Sequence, residues 1–590
     1  MGGLAMSRTK VSLAALLLMS IAALAFATDA AAFIIYKVGA APDCPFHTIQ
    51  EAVDAAAANP GTDLVWIAMD QEYTGQHVVV ADQNVIIEGG FTDCFDDDPG
   101  VEQTVINGTN GHSVFEIEGT GDVFLGNLLI TGAVMDESHS GGGIYFGGQG
   151  SLTLHTVWVF QNQAGYGGGI DVSPTGPTLV TLTGSVVSSN TALVSGGGIR
   201  IEGFTELHVV HTLADEFDYI THNTALGQGE VGYGGGIEVL GPAYAGFAGV
   251  LADNSAPYGA GIAAIATDQG AASVGVYTSN PASPGAIYDN VASRTGGGIF
   301  LKSYGAFGYQ TTLCASSFDI HANTAINGAA IYADLDGDTG AKVEINPIDP
   351  RVFCGAESVQ CAAGTRCNDI DDNVATDGSI VLMQSNGVLW GNRFSMRGNH
   401  AHSAIAELTD APTYATLSNC LLAANSLTGP LIDAYTPGDL DVGSALLVDS
   451  CTFAGNALGA ADVIHGQVAD FSLTDSIVDQ LGRGTVDGLV FPPWVHYVLS
   501  NDIGTLPASD DVVQGSPTFV DEIDYRLQPT SLGVDFAPLP EPYPPRFDLD
   551  GFPRDVDLAA VQNGWGSMDL GAYEIQDGGV VDPIFAGSFD

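Results

Sequence analysis

Apolar and polar positions recur along this chain in one arrangement. An apolar residue, two variable residues and an asparagine appear ten times, at Asn162, Asn190, Asn223, Asn254, Asn290, Asn323, Asn373, Asn399, Asn425 and Asn456. The residues three positions earlier, Val159, Val187, Ile220, Leu251, Ile287, Ile320, Ile370, Met396, Leu422 and Phe453, are all apolar. Alanine stands two after the first eight asparagines and leucine after the last two. Turns of small residues ending in isoleucine alternate with the asparagines. GGGI ends at Ile144, Ile170, Ile199, Ile237 and Ile299, and variants end at Ile262, Ile331, Ile380, Ile405 and Ile432.

After each isoleucine the period is two. Ile144-Tyr145-Phe146, Ile170-Asp171-Val172, Ile199-Arg200-Ile201 and Ile237-Glu238-Val239 read apolar, variable, apolar, as a strand with one buried face does. Glycine interrupts every unit, so a helical face is a poor fit. The asparagines are mostly 26 to 36 residues apart, a period that means stacked repeats. The prediction is an all-β fold, a right-handed parallel β-helix of the pectate-lyase-like solenoid type. Equivalent residues of successive coils then stack ~4.8 Å apart. The asparagines are expected to take the left-handed conformation of a tight bend and to hydrogen-bond along the stack. The alanines keep the corner narrow, and the glycines allow positive φ and close backbone approach.

The ends need caps, because an open stack exposes unpaired strand edges. Near the start, Thr48 is placed to cap a short helix with Glu51 three residues on. Strands Leu64–Ala68 and Val85–Glu88 begin the stack. The expected organisation is a signal peptide over 1–27, a cap and first coils over 28–110, and repeats over 111–480 with a Cys-rich insertion at about 334–372. The last coils and a closing segment follow over 481–590.

These repeats resemble those of right-handed β-helix proteins, and are similar to the GGA-I and F-x-x-N repeats of chlamydial polymorphic outer-membrane proteins. Phe453-Ala-Gly-Asn456 matches the second form literally. Three later segments, Ser516 to Pro538, "DLDGFPRD" from Asp548 to Asp555 and "DLGAYE" from Asp569 to Glu574, resemble the closing segment of the choice-of-anchor Q family of bacterial surface β-helix proteins. The resemblance implies a surface-displayed or secreted β-helix; it implies no particular activity, since one fold hosts many.

Composition narrows the setting. Arg8 and Lys10, the apolar run Val11 to Ala27 and the A-x-A site at Ala25-Phe26-Ala27 read as a secretory signal. Eight cysteines in an exported chain suggest disulfides. Cys44 and Cys94 flank the N-terminal region. Cys354, Cys361 and Cys367 crowd one loop, with Cys314 as fourth partner and three pairings open. Cys420 and Cys451 each stand five residues before a repeat asparagine. With 15 Lys+Arg against 69 Asp+Glu, the net charge is −54, which repels nucleic acid and anionic membranes.

The residues one after each isoleucine form an outward row. In it Tyr145, Asp171, Arg200 and Glu238 make a candidate ligand strip, with an arginine between two carboxylates beside an aromatic platform. The carboxylates would stand ~9.6 Å apart, near the upper spacing for inverting glycosidases. The competing reading is a surface charge ladder. Asp334, Asp336 and Asp338 alternate in "DLDGDTG" as hard-oxygen ligands suited to calcium, although glycine is not where an EF-hand needs it. Catalytic residues are not readable, no cofactor is required, and calcium is the ion that this turn admits. Trp66, Trp158, Trp390 and Trp494 read as packing residues.

The functional expectation is an exported, non-catalytic scaffold for surface adhesion or extracellular binding, with a polysaccharide or cell-surface ligand as partner. The alternative is a polysaccharide lyase or glycoside hydrolase using carboxylates of the exposed sheet. A lyase needs a cationic groove, which scattered basic residues do not provide. An autotransporter needs a C-terminal barrel, and the residues after Gln480 lack its repeated alternating strands.

Overall fold

The structure is a computed structural model that describes residues 33–210, 218–227, 231–278, 285–334, 339–347, 368–384, 386–410, 412–435, 444–489, 491–539 and 546–576. The proposed signal peptide, Cys354, Cys361, Cys367, Asp336 and Asp338 lie outside these residues.

Each repeat is one coil of a parallel β-helix. The coil around Asn162 runs through Gln149–His155, Trp158–Phe160, Gln163–Tyr166 and Ile170–Val172. Successive coils pair in parallel: Val159 stands beside Val187, Ala164 beside Ala192 and Ile170 beside Ile199. The described strands form three sheets of 28, 14 and nine strands, called here the wide, isoleucine and corner sheets. Inside them runs one continuous apolar core. The ten apolar residues three before the asparagines all point into it, from Val159 at 0 % exposure to Met396 at 3 %.

The asparagines form an unbroken ladder. Asn190 Nδ2 donates to Val159 O at 2.9 Å and to Asn223 Oδ1 at 3.0 Å, and its backbone N–H donates to the same Oδ1 at 3.0 Å. The pattern repeats to Asn456, whose backbone N–H donates to Gln480 Oε1 at 3.2 Å. Gln480 therefore ends the ladder in place of an eleventh asparagine. One expectation is corrected here. The left-handed bend residue is the one before each asparagine, as in Gln161 (φ 53), Ser189 (φ 58) and His222 (φ 57). The asparagine side chain instead saturates the backbone groups that this bend leaves open. The glycine turn behaves as expected: Gly167 has φ +54, and a Cβ on Gly168 would sit 2.4 Å from the Thr191 carbonyl carbon.

Register corrects two more positions. Ile331 pairs with Val381 rather than Ile380, and Val381 pairs with Ala406 rather than Ile405. The turns before these two strands are one residue out of phase with the GGGI pattern, and both neighbours are buried.

Both ends are built as the capping argument requires. Helix Ile49–Ala57 buries Ile49, Ala52, Val53 and Ala56, and Thr48 Oγ1 accepts from the Glu51 N–H at 3.2 Å. Cys44 and Cys94 form a disulfide that ties this cap together. Cys420 and Cys451, on neighbouring coils, form a second. Cys314 is also disulfide-bonded. At the other end, Ile503 and Leu506, in the turn between strands Trp494–Ser500 and Val512–Gln514, pack against the core. No helix among the described residues is long and apolar enough to cross a membrane.

Candidate functional site

The outward row of the isoleucine sheet has the predicted order. Tyr145, Asp171, Arg200 and Glu238 stand in register on successive coils. The predicted exposure is wrong. Asp171 is 0 % and Glu238 3 % exposed, and Tyr145 and Arg200 are half-buried. Side chains from the flanking turns close over the row. Tyr166, from the corner sheet, lays its ring 5.2 Å from the Arg200 guanidinium, and Ser195 Oγ donates to Glu238 Oε1 at 2.6 Å.

Arg200 holds the cluster. Its Nη1 donates to Asp171 Oδ1 at 2.9 Å and to Ser173 Oγ at 3.1 Å, and its Nη2 donates to Glu202 Oε2 at 2.5 Å. Burial pushes the Asp171 carboxyl up, against the pull of Arg200. Glu238 is less well served. Its Oε2 has no hydrogen-bond donor, only Arg200 Nε at 3.5 Å, and burial pushes the carboxyl up to about 7. This is an internal ion cluster that positions strands, not a strip that a glycan chain can lie upon.

Beyond it the row turns aromatic and then acidic. Phe300 stacks on Tyr332 at 5.6 Å, and Tyr258 packs on Phe300 while accepting from Arg294 Nη1 at 2.6 Å. Further on, Glu407, Asp433, His465 and Asp487 stand in register. A shallow cleft opens there, lined by Asp433, His465, Asp487, Tyr435, Pro430 and Ala461. Asp433 Oδ1 is buried without a hydrogen-bond partner, and burial pushes its carboxyl up. His465 Nδ1 lies 2.8 Å from Asp487 Oδ1. Counting isoleucines loses Glu407, because the slip at Val381 and Ala406 displaces the row there by one residue; the count is back in phase at Ile432, which Asp433 follows directly.

The proposed calcium turn is described only at Asp334, whose Oδ2 lies 3.8 Å from Lys302 Nζ. Among the described residues, no three His, Cys, Asp or Glu side chains are grouped to hold a metal ion.

The wide sheet holds the open surface. One outward row runs Val105, Leu129, Trp158, Val186, Tyr219 and Val250, all in register. Val105 is 48 %, Trp158 46 % and Tyr219 38 % exposed. The expectation that tryptophans are packing residues therefore fails at Trp158, and also at Trp390 and Trp494, which are 48 % and 63 % exposed. Trp66 does pack, stacked on Phe91 at 4.7 Å. The same row turns polar at Asp319, Asp369 and Ser395, then apolar again at Leu421, Ile477 and Leu499. There the chain covers its own surface: Tyr525 and Tyr573 pack on Leu421, and Val534, Met568 and Leu570 belong to one buried cluster with Ile477 and Leu499.

Compared with known protein families, the chain matches no family model, and no curated protein matches it.

Proposed function

We propose that the protein is an exported β-helix scaffold that works by binding, with the wide sheet as the surface that meets an extracellular polysaccharide or cell-surface ligand. The observation that carries this reading is the outward row Val105 to Val250, apolar and open over successive coils. Soluble proteins seldom leave a contiguous apolar surface uncovered without a use for it. The signal-like start, the disulfides and the resemblance to surface β-helix families support the same setting. The test is binding of residues 28–590 to a panel of neutral and acidic polysaccharides and to bacterial cell envelopes, with new reducing ends followed in parallel. Binding without turnover is expected, weakened at least tenfold by Val186→Asp. Binding that Val186→Asp leaves unchanged would remove the wide sheet from the reading.

Glycoside hydrolysis is the second reading, favoured by the unpartnered Asp433 carboxyl beside the His465–Asp487 pair. A carboxyl that burial pushes upward holds its proton more tightly, which suits general-acid work. Release of reducing ends that Asp433→Asn abolishes would establish this reading over the first.

A further inference from the structure

From the geometry of the open row we infer that it is a binding track for a neutral, extended β-1,4-linked polysaccharide lying along the helix axis. The inference rests on the binding reading above and names its ligand class. Three observations carry it.

The first is spacing. Trp158 pairs with Val186, and Val186 with Tyr219, so the two exposed aromatic side chains stand two ladder steps apart. Two steps are ~9.6 Å. In an extended β-1,4-linked chain each ring is turned over relative to the last, so one face recurs at every second sugar. That disaccharide repeat is close to two ladder steps. Trp158 and Tyr219 are therefore placed to stack on the like faces of alternate sugars, while Val186 leaves room for the ring between them. Aromatic side chains suit this because they offer a large apolar face at little conformational cost.

The second is charge. None of the six positions in the row is Asp, Glu, Lys, Arg or His, and the net charge of −54 repels acidic glycans and nucleic acids. Beside the row, Ser188 and Thr221 stand in register, and Thr221 Oγ1 donates to Ser188 Oγ at 3.3 Å. These half-buried hydroxyls can exchange hydrogen bonds with sugar hydroxyls at the chain's edge.

The third is continuity. At Leu421, Ile477 and Leu499 the same row is already an interface, covered by the chain's own C-terminal segment. The polar residues Asp319, Asp369 and Ser395 divide this covered part from the open part. The open part thus has a defined end and runs in register over successive coils, which fits a linear ligand.

The test is titration of residues 28–590 with β-1,4-linked glucan and N-acetylglucosamine hexasaccharides, with α-1,4- and β-1,3-linked hexaglucosides as controls. Binding of at least one β-1,4-linked hexamer is expected, with both controls at least tenfold weaker. Trp158→Ala and Tyr219→Ala should each weaken binding at least tenfold, with the thermal melt unchanged. The decisive variant is the pair Val186→Tyr with Tyr219→Val. It keeps the composition of the row and sets the aromatics one step apart, and it should bind as weakly as Trp158→Ala.

Equal binding of the controls, or full binding by the spacing variant, would overturn the inference and leave the general binding reading standing. The inference also falls if no hexamer binds. Envelope binding that Val186→Asp still removes would then preserve the broader reading. A dimer in sedimentation that Trp158→Ala dissolves, without glycan binding, would assign the row to a second copy instead.

Discussion

A single buried asparagine serves several backbone groups. Asn223 Nδ2 donates to Val187 O at 2.9 Å and to Asn254 Oδ1 at 3.1 Å, while its Oδ1 accepts from both nitrogens of Asn190. Removing the amide leaves the Asn190 N–H and the Val187 carbonyl buried without partners. Each such group costs about 1–3 kcal/mol. Asn223→Ala is therefore expected to destabilise the fold by about 3–5 kcal/mol, readable as a lower denaturation midpoint. The same change at Asn162, the first of the ten, should cost less. Its Oδ1 serves only the Ala133 N–H, at 3.1 Å, and no asparagine lies before it. Equal losses at both positions would show that the corner is held by packing rather than by the ladder.

At the scale of elements, the C-terminal segment is a latch built from carboxylates that accept backbone N–H groups. Asp548 accepts from Phe552 at 2.7 Å and Glu574 at 3.0 Å, and Asp569 accepts from Asp535 and Ile575, both at 2.8 Å. At the centre is Arg554, 0 % exposed, which donates to Asn419 Oδ1 at 2.8 Å and to the carbonyls of Asp569 and Gly571. Arg554→Met leaves these acceptors and the buried carboxylates unpaired, at a cost of about 3–5 kcal/mol. Limited proteolysis should then cut within 516–576 while the disulfide-tied coils before it stay intact. Protease resistance equal to the parent protein's would show that apolar contacts alone hold the latch. The period of the strands was legible in the sequence because every coil repeats its asparagine and its apolar partner. The core row and Thr48 cap followed from the same reading. The burial of Asp171 and Glu238 was not legible. It depends on Tyr166 and Ser195 reaching in from neighbouring turns, and a one-dimensional pattern carries no such reach. Gln480 escaped notice because a chemically equivalent amide with a longer side chain breaks the asparagine count. The open row was hidden for another reason: its residues alternate with the core row and look like ordinary strand formers.

For the whole molecule, acidity and burial act in the same direction with pH. Burial pushes Glu238 and Asp475 up to about 7, and Asp548, Asp569 and Glu88 up to about 6. Each of these carboxyls holds its proton more tightly in the folded chain than in the unfolded one. Between roughly pH 4 and 7 the folded state thus carries more protons, and stability falls as pH rises through that window. Carboxyls shifted the other way, such as Asp136 at about 2, lose their contribution only in stronger acid. The melting temperature should therefore be highest near pH 5 and lower by several degrees at pH 8. Self-repulsion, which grows towards the net charge of −54 as pH rises, lowers stability in the same sense, and salt separates the two causes. Screening over ~8 Å at physiological ionic strength weakens repulsion between surface charges but scarcely reaches buried carboxyls. Adding salt at pH 8 should restore part of the lost stability, and Glu238→Gln should restore a further part that salt does not. A melting temperature that is flat or rising between pH 5 and 8 would mean that the buried carboxyls are fully compensated by Arg200, Arg546 and Arg554. The acid clusters would then be rigid struts rather than the reason the stack prefers mild acid.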